Sequence, residues 1–272
     1  MYNLGSICWC IFSLFLCNVR NDVASALDSA NDWNGKWFPN SPDDLLDSNP
    51  SIEYVPSGKR NHIAQMGVVS KDCDDAQTNL TIDWNNSPIN YTCFESKYLY
   101  FPKNLQPIEI SYSIPRQYSA AHKCMDTAIN YRLRIPTFGT HRPLWAKFGE
   151  YMFLPIQRWL HNLEHGAIVL LYHPCANMQE LVLLKKLVKK CLYRHVITPY
   201  TLLTTDYPFA LVAWGYSLEM SMIDPALVID FIKTRALRGP EMKYDDGQYD
   251  YKLMYHANIV SDERDSDLCP NM

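Results

Sequence analysis

Apolar residues in this chain gather into a few regular runs separated by polar, proline-broken stretches. The densest interior run is Ala167-Ile168-Val169-Leu170-Leu171-Tyr172-His173, which reads as a strand. Directly before it, Ile156, Trp159, Leu160 and Leu163 recur at the i, i+3, i+4, i+7 spacing of an amphipathic helix over 156–165. Pro155 fits its first turn, and Gly166 suits the left-handed position that stops it. Asn177 is a capping residue, with Glu180 completing a capping-box-like pair. The helix that follows puts Leu181, Leu184, Val188 and Leu192 on its core face. Lys185, Lys186, Lys189 and Lys190 lie on the other side and read as a solvated face.

Residues 196–200 and 209–216 have the pattern of two more strands, so strand 167–173, its helix and strand 196–200 form a βαβ unit, expected to be parallel and right-handed. Asp224-Pro225 opens a last helix through Leu227, Val228, Phe231 and Ile232, which stops before Gly239-Pro240. Weaker patterns predict a strand at 62–69 and, at 98–112, an edge strand or extended segment in preference to a helix because of Pro102 and Pro107. Residues 135–155 read as an irregular loop packed by aromatic side chains. The fold class expected is α/β: one mixed-sheet domain over 60–241, containing the βαβ unit. An irregular flap and an extended 27–60 lead-in precede it, and an acidic tail over 242–272, tied down by Cys269, follows.

Composition adds a compartment. The apolar stretch 4–19 has the size of a signal-peptide core, and Ala24-Ser25-Ala26 is a small-x-small cleavage site, so 1–26 reads as a signal peptide. No Lys or Arg precedes the apolar stretch, which keeps an uncleaved membrane anchor as the alternative; no later segment predicts a transmembrane helix. Of nine cysteines, six remain beyond that leader: Cys73, Cys93, Cys124, Cys175, Cys191 and Cys269. An even number in an oxidising compartment predicts disulfides. Cys73–Cys93 is the favoured pair across the flap. Cys175 and Cys191 lie at opposite ends of one helix, roughly 20 Å apart at ~1.5 Å per residue, too far to bridge. Asn79-Leu80-Thr81, Asn85-Asn86-Ser87 and Asn90-Tyr91-Thr92 are acceptor triplets for N-glycans, the middle one weakened by Pro88. A secreted or luminal location follows. The net charge of −4 gives no basic footprint, which argues against nucleic acid as a partner; an unidentified protein partner stays open.

The chemistry concentrates in His161-Asn162-Leu163-Glu164-His165. Imidazoles at i and i+4 reach one metal ion, and the carboxylate between them polarises a bound water in the H-x-x-E-H pattern of zinc hydrolases. That reading needs a third protein ligand, for which Glu219, Glu241, His141 and His173 are candidates. A non-hydrolytic reading takes nitrogens from His141, His161 and His165, with Glu164 as a ligand or an orienting acceptor, a set suited to zinc or copper. A third reading has these side chains hydrogen-bonding backbone groups where helix, strand and loop meet. His62, His122, His195 and His256 read as scattered. No G-x-S-x-G elbow, P-loop or G-x-G-x-x-G is present, and no catalytic residue is assigned.

Four stretches then carry a resemblance: Pro136-Thr137-Phe138-Gly139-Thr140-His141, Trp145 through Gly149 to Tyr151, His161 through Gly166, and Ala213-Trp214-Gly215, with Pro240-Glu241 after them. Together they resemble a bacterial family catalogued as a domain of unknown function, and its animal relatives, the p53-inducible protein 13 family. The resemblance covers about 130–241. Phe138 and Thr140 depart from the Ser and Pro of the bacterial pattern. It implies a growth-restraining role in animals and no established enzymatic activity. The membrane attachment of the vertebrate members runs through a later hydrophobic segment that this sequence does not contain.

Overall fold

A computed structural model describes residues 65–94 and 100–272. Three helices, α1 (Ile156–Glu164), α2 (Met178–Cys191) and α3 (Pro225–Arg235), pack on one sheet. Its strands are β1 (Ile108–Ser111), β2 (Gly149–Tyr151), β3 (Ile168–Tyr172), β4 (His195–Pro199), β5 (Phe209–Ala213), β6 (Tyr216–Met220) and β7 (Leu253–His256). They lie in the order β1-β6-β5-β3-β4-β2-β7. The β3–β4 and β2–β4 pairs are parallel and the remaining pairs antiparallel. The α/β class and the parallel β3-α2-β4 unit agree with the sequence reading.

Strand β3 sits mid-sheet and is buried on both faces, which is why its apolar run is continuous. Ile168 and Leu170 point into a core shared with Leu184 and Val188 of α2 and Val228 and Ile232 of α3. Val169 and Leu171 point the other way, into a core shared with Trp159, Leu160 and Leu163 of α1. Asn177 caps α2 by accepting from the Gln179 and Glu180 amides. The Glu180 carboxylate, however, accepts from the Ile223 amide and so ties α2 to the start of α3 rather than closing a capping box. Asp224 caps α3 through the Ala226 amide.

Several expectations change. Of 62–69, residues 62–64 lie outside the described residues, and 65–69 form a turn and irregular backbone instead of a strand. The run 209–216 breaks at Trp214-Gly215, with Gly215 at φ +76°, and a second strand, β6, returns along β5. The aromatic loop contains β2, three residues too short to show a period. Gly149 there approaches the backbone of β7 so closely that a Cβ would lie 2.2 Å from the Tyr255 carbonyl oxygen. The weakly patterned 242–272 therefore closes one edge of the sheet through β7. Two of the four lysines on α2 also gain a role, since Lys185 and Lys189 each donate to Glu150 of β2 at 2.7 Å.

The favoured Cys73–Cys93 bridge is overturned. The disulfides are Cys73–Cys124, Cys93–Cys175 and Cys191–Cys269. Backbone pairing accounts for the first two: the Met125 amide donates to the Cys73 carbonyl, and the Tyr100 amide to the Cys175 carbonyl. Each segment is thereby aligned with a segment distant in sequence rather than with its neighbour. Cys175 and Cys191 do not pair with each other, as their separation along α2 required.

Candidate metal centre

Helix α1 carries His161 and His165 four residues apart, on one side. That side is buried like the apolar one, because the 137–146 loop lies over it. Asn162 holds the loop by accepting from the Ala146 amide and donating to the Ala146 carbonyl. The Arg142 amide donates to the Gln157 carbonyl. Two buried guanidinium–carboxylate pairs, Arg158–Asp74 and Arg142–Asp83, fasten the disulfide-bearing flap to the same surface. Gly166, at φ +83°, ends the helix against Leu237, where a Cβ would sit 2.8 Å from the Leu237 Cα.

Under that cover the imidazoles are aimed by main-chain carbonyls. A carbonyl only accepts, so each ring nitrogen facing one carries the proton. His141 Nδ1 donates to the Gly139 carbonyl at 2.8 Å, His161 Nδ1 to the Arg142 carbonyl at 2.6 Å, and His165 Nδ1 to the Glu241 carbonyl at 2.5 Å. In a neutral ring this leaves each Nε2 as a bare lone pair. The His141 Nε2 lies 3.1 Å from His122 Nε2 and 3.0 Å from Glu164 Oε2. His122 Nε2 is 3.8 Å from the same carboxylate oxygen. The His161 ring is 4.4 Å from that of His141, centre to centre, and its Nε2 has no hydrogen-bond partner. One ligand atom from each of His122, His141, His161 and Glu164 falls within 4.8 Å of the others.

His141 and His161 are fully buried, Glu164 and His165 are 1% exposed, and the His122 side chain alone reaches solvent, at 15%. Burial, reinforced by the neighbouring imidazoles, pushes His161 well below the ordinary imidazole value. Burial and His141 push His122 down to about 4. Burial also takes His165 down to about 4 against the opposing pull of the Glu241 carbonyl. Burial alone would raise the Glu164 carboxyl, but the contact with His141 and the other imidazoles outweighs it and holds the group low. Trp145 walls the cluster, its ring 5.1 Å from His161 and 4.6 Å from His165, centre to centre.

Of the four expected ligands, His141, His161 and Glu164 come together. His165 stands beside them with its Nε2 unpartnered. Of the other proposed ligands, Glu241 supplies main-chain contacts to His165 and Glu164, with its carboxyl raised by burial and by Glu164. Glu219 accepts from Arg134, and His173 stacks on Tyr100, so neither joins the group. His195 is buried and donates to the Leu192 carbonyl, as its lack of company in the sequence implied. His122 is the member that sequence reasoning missed. It reaches the cluster because its segment pairs with the loop, Lys123 N donating to the His141 carbonyl and His141 N to the Ala121 carbonyl. Nothing in the local sequence announces that pairing.

Fold and cluster together define a mixed-sheet α/β protein with a buried histidine–glutamate constellation beneath a disulfide-fastened flap. A family model described as "Protein of unknown function (DUF3105)" matches residues 122–247, a span that starts at His122 and includes every member of the cluster. The chain is similar to tumor protein p53-inducible protein 13 of Rattus norvegicus, 36% identical over 67 residues, covering 25% of this chain and 17% of the relative. It is also similar to that of Mus musculus, 35% identical over 72 residues, covering 26% and 19%. The matched part is thus under a fifth of the length of those relatives. These likenesses support the family relation that the motifs indicate. No solved structure matches.

Proposed function

We propose that this is a non-enzymatic protein of the secretory pathway that holds one zinc or copper ion at His122, His141, His161 and Glu164, with His165 beside the set. One observation carries the reading: ligand atoms of four side chains lie within 4.8 Å of one another, and two of them, His161 Nε2 and Glu164 Oε2, are buried with no hydrogen-bond partner. A single shared proton between His141 and Glu164 would satisfy two of them and leave the His161 Nε2 stranded, at a cost of about 1–3 kcal/mol for a buried unsatisfied group. A metal ion satisfies all four at once. Three neutral imidazoles and a carboxylate suit zinc or copper, and the carbonyls behind the Nδ1 atoms supply the orienting contacts that such ligands use.

A zinc hydrolase of the H-x-x-E-H type would keep an open coordination position facing a cleft. Here Glu164 belongs to the donor set and the imidazoles of α1 are sealed, which favours a binding or structural role. Three disulfides fit an oxidising compartment, and among the described residues no helix is long and apolar enough to cross a membrane. Asn79 and Asn85 are exposed and Asn90 half-buried, as glycan acceptors on the flap would be. A growth-restraining role is the wider context that the family resemblance implies, and an unidentified protein partner belongs with it.

Elemental analysis of purified protein tests the reading. About one equivalent of zinc or copper is expected in the wild type and none in His161→Ala. Absence of stoichiometric metal from both overturns it.

A further inference from the structure

The ligand set is fastened unevenly. His141, His161 and Glu164 are buried and belong to the loop and helix α1, whereas His122 is partly exposed and sits two residues before Cys124. The Cys73–Cys124 disulfide joins that segment to the residue preceding Asp74. Asp74 in turn pairs with Arg158 in α1, with neither side chain exposed, and its carboxylate also accepts from the Leu144 amide at 3.3 Å. An unbroken mechanical line therefore runs from His122 through the disulfide and the Asp74–Arg158 pair to the helix that carries His161 and Glu164. Cys73 and Cys124 are only half-buried, whereas Cys191 and Cys269 are buried. The strut beside the cluster is the bridge with both of its cysteines half-buried, since Cys93 is half-buried but its partner Cys175 is buried.

We infer that the Cys73–Cys124 disulfide is a positioning element of the metal centre, and that its reduction releases the metal by freeing His122. This rests on the metal-binding reading above. The step balances with a dithiol as reductant: its two sulfurs pass two electrons and two protons to the bridge. The Cys73–Cys124 bond breaks into two thiols, and the reductant leaves as its own disulfide. With the strut cut, the segment 121–124 keeps its two backbone contacts to the loop and the Arg142 contacts to the Lys123 and Cys124 carbonyls, but loses its covalent tie to the flap. His122 then samples positions away from the cluster, and the three remaining donors hold metal less tightly. Contacts that orient ligands typically contribute about 10–100-fold in metal affinity.

The test is competition for Zn²⁺ between a chromophoric chelator and the full chain. It compares wild type, the Cys73→Ser/Cys124→Ser variant, and a Cys191→Ser/Cys269→Ser control. The inference expects affinity to fall about 10–100-fold in the first variant and by less than about threefold in the control. Equal affinity in wild type and folded Cys73→Ser/Cys124→Ser overturns the inference while leaving the metal reading intact. Failure of wild type to bind Zn²⁺ overturns both. Should the first variant not fold, wild type decides. A phosphine reductant, which becomes its oxide with oxygen from water, is added with and without bound Zn²⁺, and alkylation followed by mass spectrometry maps which cysteines open. Zn²⁺ should slow opening of Cys73–Cys124 at least about tenfold and leave Cys191–Cys269 unchanged, since coupling between two events acts in both directions. Identical opening rates for Cys73–Cys124 with and without Zn²⁺ overturn the inference.

Discussion

The two faces of the sheet are built on different principles. Under α2 and α3 the core is almost wholly apolar, with Leu184, Val188, Val228 and Ile232 closing on Ile168 and Leu170. Under α1 the apolar layer of Trp159, Leu160 and Leu163 is backed by a second, polar layer of four imidazoles, Glu164, Arg142, Arg158, Asp74 and Asp83. The first face stabilises by burying carbon. The second buries charge, which costs free energy unless each group is matched, and it adds a nearby disulfide. In that layer His161 Nε2, Glu164 Oε2 and His165 Nε2 are left without a hydrogen-bond partner, and these are the atoms that the proposed metal ion would engage or lie beside.

Substitutions separate the two faces. The largest effect is expected from Asp74→Ala, which strands Arg158 in the interior and removes the contact between flap and helix. A loss of about 3–5 kcal/mol is expected by denaturant titration, together with loss of metal binding. Leu184→Ala on the apolar face should cost about 2–5 kcal/mol as a cavity, yet its folded fraction should bind metal as wild type does. If Leu184→Ala abolished binding as completely as Asp74→Ala, the division between a structural and a functional face would fail.

Glu164→Gln sharpens the comparison by splitting stability from binding. It removes the carboxylate from the donor set, so metal affinity should fall by at least about tenfold. In metal-free protein, however, the new amide can donate to the His141 Nε2, and the apo form should melt higher, by up to about 1 kcal/mol of added stability. A lower melting temperature in chelator would contradict the claim that these acceptors lack a donor.

Acid should act on the histidine side. His122 and His165 are pushed down to about 4 in the folded protein, chiefly by burial, against an ordinary value of ~6.5. As pH falls, the unfolded chain takes up protons first. Stability is therefore full above about 6.5 and drains away between 6.5 and 4. Urea midpoints of metal-free protein across that window check the sign, and a midpoint that rises on acidification would contradict it. The smallest effect belongs to Lys186, exposed on α2 between the two lysines that hold Glu150. Lys186→Ala should shift stability by no more than about 0.5 kcal/mol, while Lys185→Ala and Lys189→Ala shift it more.

The apolar face was readable because its helices and strands repeat at fixed periods over many residues. α2 declared itself by its cap and its leucine stripe, and β3 by its unbroken apolar run. The polar face was only half readable. α1 and its stop at Gly166 followed from spacing, and His141, His161 and Glu164 stood out as candidate ligands without their convergence being fixed. His122 did not, because a two-hydrogen-bond pairing between irregular segments brings it in, and irregular pairing leaves no period in sequence. The same blindness produced the Cys73–Cys93 expectation. Nearness in sequence stood in for nearness in space, where Cys73 lies against the 121–125 backbone instead. β2 and β7 escaped for another reason: at three and four residues, with β7 inside an acidic stretch, neither is long enough to alternate visibly.

The central claim is that His122, His141, His161 and Glu164 hold one metal ion. X-ray absorption on protein loaded with one equivalent of Zn²⁺ tests it most directly. The account predicts a shell of four light ligands at about 2.0–2.1 Å, with outer scattering from three imidazoles that falls to two in His122→Ala. A shell containing sulfur, or imidazole scattering unchanged by His122→Ala, would contradict it.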